Sequence, residues 1–160
     1  MIKIRKATLK DVPALVDMWK EFEDAHSAMV VKKKPVMKYL LKYKPNVKAV
    51  CRKSLRRTIK KIGFVFIAEE DKTIAGYIEG SIKNPELAAN RIGSIWDLYV
   101  KKDYRGGKIS SMLKDAAFSF FRKNKVKAIE MNVNRHNKNA YSIYKKWGFF
   151  EDGIRMIKIL

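Results

Sequence analysis

Two stretches, residues 98–113 (LYVKKDYRGGKISSML) and 137–149 (NKNAYSIYKKWGF), constrain the fold more than any other part of the chain, through their order and spacing. The first reads as a strand ending at Val100, a turn carrying Arg105, Gly106 and Gly107, and a helix opening near Lys108. The apolar positions of that helix are Ile109, Met112, Leu113, Ala116, Ala117 and Phe120. Strand, glycine turn and helix together aim backbone N–H groups and the positive end of a helix dipole at one place. An anion is expected there, a phosphate or pyrophosphate.

The remaining residues supply a sheet and its covering helices. Ile2 and Ile4 alternate with Lys3 and Arg5 as in a half-buried strand, and Thr8 reads as an N-cap with Asp11 in the first turn and Pro13 close behind. The helix that follows is predicted to run to about His26, with Val12, Leu15, Val16, Trp19 and Phe22 on its apolar side. Helical stretches over 36–43 and 46–61 flank Pro45, and the second places Val47, Val50, Cys51, Leu55, Ile59 and Ile62 at helical spacing. Residues 64–69 and 74–82 read as a hairpin turning at Asp71 and Lys72, and 91–100 as the next strand. A helix ending near Asn124, a strand over 128–133, a helix over 139–147 and a last strand over 156–159 complete the order.

Composition narrows the class. A chain of 160 residues suits a single domain with a proper core, and its 47% apolar content is that of a globular protein. With no run of eighteen apolar residues and a strand-like start, IKIRKA, the protein is expected to be soluble and cytoplasmic. Lone Cys51 lies on the apolar side of a helical pattern and reads as a buried core residue rather than a nucleophile. His26 and His136 read as solvated or structural, and no cluster has metal-ligand spacing. The net charge of +20 is uneven: thirteen Lys or Arg fall within 32–62, and no Asp or Glu does. Such a field gathers anions, although a charge run also serves as a solvated helix face.

Both motifs resemble those of the GNAT superfamily of N-acetyltransferases. The acetyl-CoA loop of that family, Arg/Gln-x-x-Gly-x-Gly/Ala, is similar to the stretch from Arg105 to Ser110. Its second signature is similar to Asn137, Ala140, Tyr144, Gly148 and Phe149. The resemblance extends through the element order to nearly the whole of residues 1–160, read as one N-acetyltransferase domain. It implies an α/β fold whose mixed central sheet splays between the fourth and fifth strands, where the pantetheine arm of acetyl-CoA inserts. One departure stands out: the family has glycine where this chain has Lys108, and glycine or alanine at Ser110, while the spare glycine sits at Gly107. Lys108 either crowds the pyrophosphate or adds a cation to it.

The resemblance further implies transfer of an acetyl group from acetyl-CoA directly to a primary amine (a peptide N-terminus, a lysine or a small amine) in a ternary complex. Cofactor contacts then fall to the main chain of Leu98 and Val100, to the loop residues Arg105, Gly106, Gly107, Lys108, Ile109 and Ser110, and to Asn137 and Tyr144. Tyr144 takes the place from which the family often protonates the departing thiolate. Asp97 and Glu79 are the competing candidates for the base, and each has an alternative as a surface or salt-bridged carboxylate. Alternation sets Asp97 and Tyr99 opposite Trp96 and Leu98.

The acceptor site is expected in the first helix, the basic segment and the loop after Ile82, and the acceptor is an acidic peptide or protein if the cations face that cleft. The family often dimerises, so a homodimer is a further expectation. A reading of a different class is a nucleic-acid or ribosome-associated binding protein, which uses this fold and its basic segment 32–61 for binding. Membrane-surface binding is not expected, because the apolar side of the 46–62 helix is committed to the core.

Overall fold

The computed structural model describes residues 1–86 and 89–158. Its elements are β1 (Lys3–Lys6), α1 (Val12–Lys33), α2 (Val47–Arg57), β2 (Gly63–Glu70), β3 (Thr73–Lys83), β4 (Ile92–Val100), α3 (Ile109–Lys123), β5 (Ala128–Met131) and α4 (Lys138–Lys146). The chain divides into two compact units, one of Met1–Phe22 with Pro45–Asn132 and one of Glu23–Lys44 with Val133–Leu160.

The first unit carries a five-stranded sheet in the order β1-β2-β3-β4-β5. Its first four strands are antiparallel and β5 runs parallel to β4, giving the mixed sheet expected. The β2–β3 turn is made by Asp71 and Lys72, both at positive φ (48° and 66°), the conformation that matches the twist of a tight hairpin. Strand alternation sorts the core into two layers. On one face, Val65, Ile67, Tyr77 and Tyr99 pack with Val12, Leu15, Val16 and Met18 of α1 and Cys51 and Leu55 of α2. On the other, Phe64, Ala68, Ala75, Ile78 and Ile95 pack under Ile109, Leu113, Ala117 and Phe121 of α3. Aromatic contacts thicken this second layer, with Phe64 and Phe120 rings 4.8 Å apart and Phe64 and Phe121 edge-on at 5.3 Å.

A charged cluster closes the start of α1 onto the sheet. The Arg5 guanidinium donates to both Asp11 oxygens (2.9 and 2.8 Å) and to Glu69 Oε2 from Nε (2.9 Å) and Nη2 (2.6 Å). Asp11 Oδ2 also accepts the Thr8 backbone N–H at 2.7 Å and the Thr8 hydroxyl at 2.9 Å, the capping role read from the sequence.

In the second unit, α4 has both ends capped. Asn137 Oδ1 accepts the Ala140 N–H at 3.2 Å, and the helix closes in a Schellman motif. There the Gly148 N–H reaches Lys145 O and the Phe149 N–H reaches Tyr144 O, both at 3.1 Å, around Gly148 at φ +90°. Tyr43 donates to the Glu23 carboxylate, and burial first and that carboxylate second push its hydroxyl up to about 12.

Several sequence expectations shift. Helix α1 runs on to Lys33 rather than stopping near His26, because Ser27 to Val31 contain no breaker before Pro35. The stretch over 36–43 forms only a 3₁₀ turn, Pro35–Tyr39. Helix α2 widens into a π turn at Thr58–Ile62, and Val50, expected in the core, is 57% exposed. Strand β5 stops at Met131. Residues 151–158 form no strand, with Ile154 and Met156 exposed, and Ile159 of the expected last strand lies outside the described residues. Cys51 is buried as expected. Among the described residues no helix is long and apolar enough to cross a membrane.

Arg5 first, and Thr8 after it, hold the Asp11 carboxyl down at about 2 against the partial cost of burial. A depressed folded value stabilises above the unfolded pKa of about 3.9 and fades as pH falls toward 2. Asp11→Asn is expected to cost about 2 kcal/mol at neutral pH and to flatten the loss of stability between about pH 5 and 2. Urea unfolding across that range measures both.

Candidate active site

The site is built where β4 outruns its parallel neighbour. β5 pairs with β4 only from Ile92 to Ile95, whereas β3 pairs with β4 as far as Val100. Among the described residues no strand lies against the β5 side of β4 beyond Ile95, so its main-chain groups form an open edge over residues 96–100. A register shift places Glu79 opposite Asp97 and Gly80 opposite Ile95, which leaves Trp96 as the extra residue of a bulge, 41% exposed. The bulge sets which face each following side chain takes. Leu98 and Val100 join the α3 layer, and Tyr99 joins Tyr77 in the α1–α2 layer.

The open edge ends at an anion-binding geometry. After Val100 the chain makes a short 3₁₀ turn (Lys102–Tyr104), reaches Arg105 in an extended conformation and turns at Gly106 with φ +84°, a left-handed value that disfavours any Cβ. Lys108 follows at φ −86°, ψ −1°, and α3 begins with no side-chain cap and no acidic residue in its first turn. Basic Arg122 and Lys123 occupy the last turn of α3, which complements its dipole. The N-terminus of α3 is thus a place where backbone N–H groups and dipole favour an anion. Side chains built at Gly106 or Gly107 would meet no atom within 4 Å, so this side of the loop is open. The displaced glycine is no obstacle to the turn, because Lys108 occupies an ordinary helical conformation that needs none.

The Arg105 side chain is tied to the strand end. Its Nε donates to Val100 O at 2.8 Å, and its guanidinium lies over the Tyr99 ring at 5.5 Å, so the side chain staples the loop back to the strand end.

Glu79 and Asp97 share one face, as directly opposed residues of an antiparallel pair must. Glu79 is buried, 6% exposed, and bonds the Thr58 hydroxyl at 2.7 Å. Burial pushes its carboxyl up, and the Thr58 bond pulls it part of the way back. Asp97 is half-buried and accepts the Tyr77 hydroxyl at 3.4 Å. Burial, then the Asp97 and Glu79 charges, drive the Tyr77 hydroxyl well above its ordinary value. Opposed like charges repel, and of the two carboxylates Glu79 is the more deeply buried.

Tyr144 and Asn137 belong to the second unit. Tyr144 is half-buried on α4, with its ring 5.6 Å from Trp147 and 6.2 Å from Phe149. Asn137 is the N-cap of the same helix. Sequence reasoning missed Thr58 and Tyr77, both almost fully buried. Thr58 lies in a π turn, which has no sequence signature, and its partner is 21 residues away.

Residues 33–149 match the profile of the acetyltransferase (GNAT) family. The chain belongs to the GNAT acetyltransferase family. Its fold is similar to that of the tetramutant of BH1408 protein from Bacillus halodurans (TM-score 0.81, 22% identity, 99% of each chain covered). It is also similar to a ribosomal-protein-alanine N-acetyltransferase from Brucella melitensis biovar Abortus 2308 (TM-score 0.73, 15% identity, 99% of each chain). A third similar fold is aminoglycoside N-acetyltransferase AAC(6')-Iy in complex with CoA (TM-score 0.75, 12% identity, 100% of this chain and 95% of that one). No curated protein matches the sequence.

Because the folded value of Glu79 is raised, its contribution is fully present below the unfolded pKa of about 4.3 and is lost as pH rises through the folded value. Glu79→Gln keeps an acceptor for Thr58 and removes the charge. The variant is expected to gain stability over the parent above neutrality and to show no gain near pH 4. A gain that does not vary with pH, in thermal melts across this range, contradicts the assignment.

Proposed function

We propose that the chain is a cytoplasmic N-acetyltransferase that moves the acetyl group of acetyl-CoA directly to a primary amine in a ternary complex, with residues 1–160 working as one domain. The observation that carries this reading is the open edge of β4 leading straight to the uncapped N-terminus of α3. A pantetheine arm needs a strand edge, and the pyrophosphate at its end needs an anion site. In this reading the main chain of Leu98 and Val100 bonds the arm as an added strand. The backbone amides at Gly106, Gly107, Lys108, Ile109 and Ser110 receive the pyrophosphate, with the Lys108 ammonium and Ser110 hydroxyl as side-chain additions. Arg105 acts through its bond to Val100 O, holding the loop against the strand.

Acetyl-CoA supplies the activated acyl group, and the residues supply position and protons. The Leu98 amide, beside the bulge, polarises the thioester carbonyl. Asp97 takes the proton of the attacking ammonium, beside Glu79, whose carboxyl burial raises. As nitrogen bonds to the carbonyl carbon and the carbon–sulfur bond breaks, Tyr144, the donor the resemblance assigns, protonates the departing thiolate, and the second proton lost by the nitrogen passes through solvent to restore the Tyr144 hydroxyl. The buried side of α2 (Cys51, Leu55 and Thr58) packs over the face that carries Glu79, and its cations point to solvent. This placement favours an amine acceptor drawn to carboxylates over an acidic peptide.

The second reading, a binding protein using the same fold, draws on the exposed basic side of α2 and predicts no turnover. Two measurements decide between them. Calorimetry is expected to give saturable acetyl-CoA binding that survives moderate salt, with Lys108→Gly weakening it several-fold if the ammonium contacts phosphate. Release of CoA with a panel of peptides and polyamines is expected to fall by about 10²–10⁴ in Asp97→Asn with acetyl-CoA affinity unchanged. Absence of saturable binding overturns the enzyme reading.

A further inference from the structure

The proposed acyl transfer leaves the most heavily charged surface unused. Between Asp24 and Glu69 the sequence holds no acidic residue, and α2 with its π turn carries cations in two rows, Arg52, Arg56, Lys60 and Lys53, Arg57, Lys61. All six side chains are exposed, while Cys51, Leu55 and Thr58 on the opposite side are buried and hold the helix fast. Among the described residues none of Lys53, Arg56, Arg57, Lys60 and Lys61 is in a salt bridge. Asp17 is bonded by Lys48 at 2.8 Å and influenced by Arg52, and Glu79 meets Thr58 on the buried side, away from these cations. Arg56, Arg57, Lys60 and Lys61 line a recess of about 320 Å³ by themselves.

The spacing has a chemical meaning. Within α2, residues four apart rise about 6 Å, comparable with the step between successive phosphates of one nucleic-acid strand. Two rows that begin at that interval and continue onto the π turn make a track for a phosphodiester chain, and the arginines add bidentate phosphate binding. The same spacing costs stability without a ligand, because like charges four residues apart on a helix repel. An acidic peptide fits less well: stable peptide docking relies on buried aromatic or apolar anchors, and no apolar side chain lines the recess. No aromatic side chain lines it either, so bases have nothing to stack on and recognition is confined to the backbone.

We infer that the exposed side of α2 and its π turn, centred on Arg56, Arg57, Lys60 and Lys61, is a sequence-independent binding site for the phosphate backbone of nucleic acid. The site is independent of acetyl transfer and stands whether or not the enzyme reading does.

The test compares two variants of equal net charge. One carries Arg56→Gln, Arg57→Gln, Lys60→Gln and Lys61→Gln; the other carries Lys3→Gln, Arg122→Gln, Lys123→Gln and Lys127→Gln, exposed cations elsewhere on the same unit. Circular dichroism melts confirm that both fold. Fluorescence anisotropy with labelled RNA and DNA oligonucleotides of mixed sequence, at salt from about 50 to 200 mM, reads affinity and its salt slope. The parent is expected to bind different sequences alike, with affinity falling steeply in salt. The recess variant is expected to lose at least tenfold and to shed about 3 units of log–log slope, while the control variant changes less than threefold. Oligonucleotide is also expected to raise the melting temperature of the parent and not that of the recess variant. Equal losses in both variants, no binding at the lowest salt, or preferential binding of anionic vesicles or polyglutamate would each overturn the proposal.

Discussion

The first unit depends on a mismatch of strand lengths. β4 has two hydrogen-bonding edges, and β5 occupies one of them only as far as Ile95. Over the five further residues of β4, alternate residues offer main-chain donors and acceptors on the open side while those between them bond β3. Strands left half-paired invite another strand. Here the Trp96 bulge marks the place, and the loop beyond Val100 turns the chain into α3 so that the helix N-terminus stands at the end of the open edge. The aromatic layer under α3 holds that helix down, and the Arg105 staple holds the loop. An edge with an anion site at its end is the arrangement on which the proposed use of acetyl-CoA rests.

On the opposite face the same bulge creates an electrostatic conflict. It aligns Asp97 with Glu79 across the strands, and α2 seals Glu79 from water. Two ionised carboxylates in that setting would repel, and burial raises the Glu79 carboxyl. The π turn brings the Thr58 hydroxyl onto Glu79, which pulls that carboxyl part of the way back, while Lys60 and Lys61 remain in solvent. The single helix α2 thus separates two environments: a buried side that tunes an acid pair and an exposed side with uncompensated positive charge.

What was legible in the sequence was local chemistry. The Asp71–Lys72 turn, the Thr8–Asp11 cap and the glycine turn before α3 each announce themselves within a few residues, because backbone conformation is decided at that range. The motif spacing carried the family and the mixed sheet with it. What failed was decided by tertiary packing or by the absence of a signal. Helix α1 overran its expected end because nothing in the sequence stops it before Pro35. Val50 sits at helical spacing with Cys51, yet the buried stripe of α2 is too narrow to include it. The bond from Arg105 Nε to Val100 O has no sequence signal of its own. The Glu79–Thr58 and Glu79–Asp97 relations join residues far apart in sequence, and no periodicity encodes them.

Amide hydrogen exchange with and without acetyl-CoA reads the β4 edge and the α3 N-terminus without requiring an acceptor. Acetyl-CoA is expected to slow exchange in two places, the amides of residues 96–100 and those of 106–111, and to leave the β1–β2 strands unchanged. Saturable binding that protects neither segment would contradict that expectation, and so would protection confined to α2.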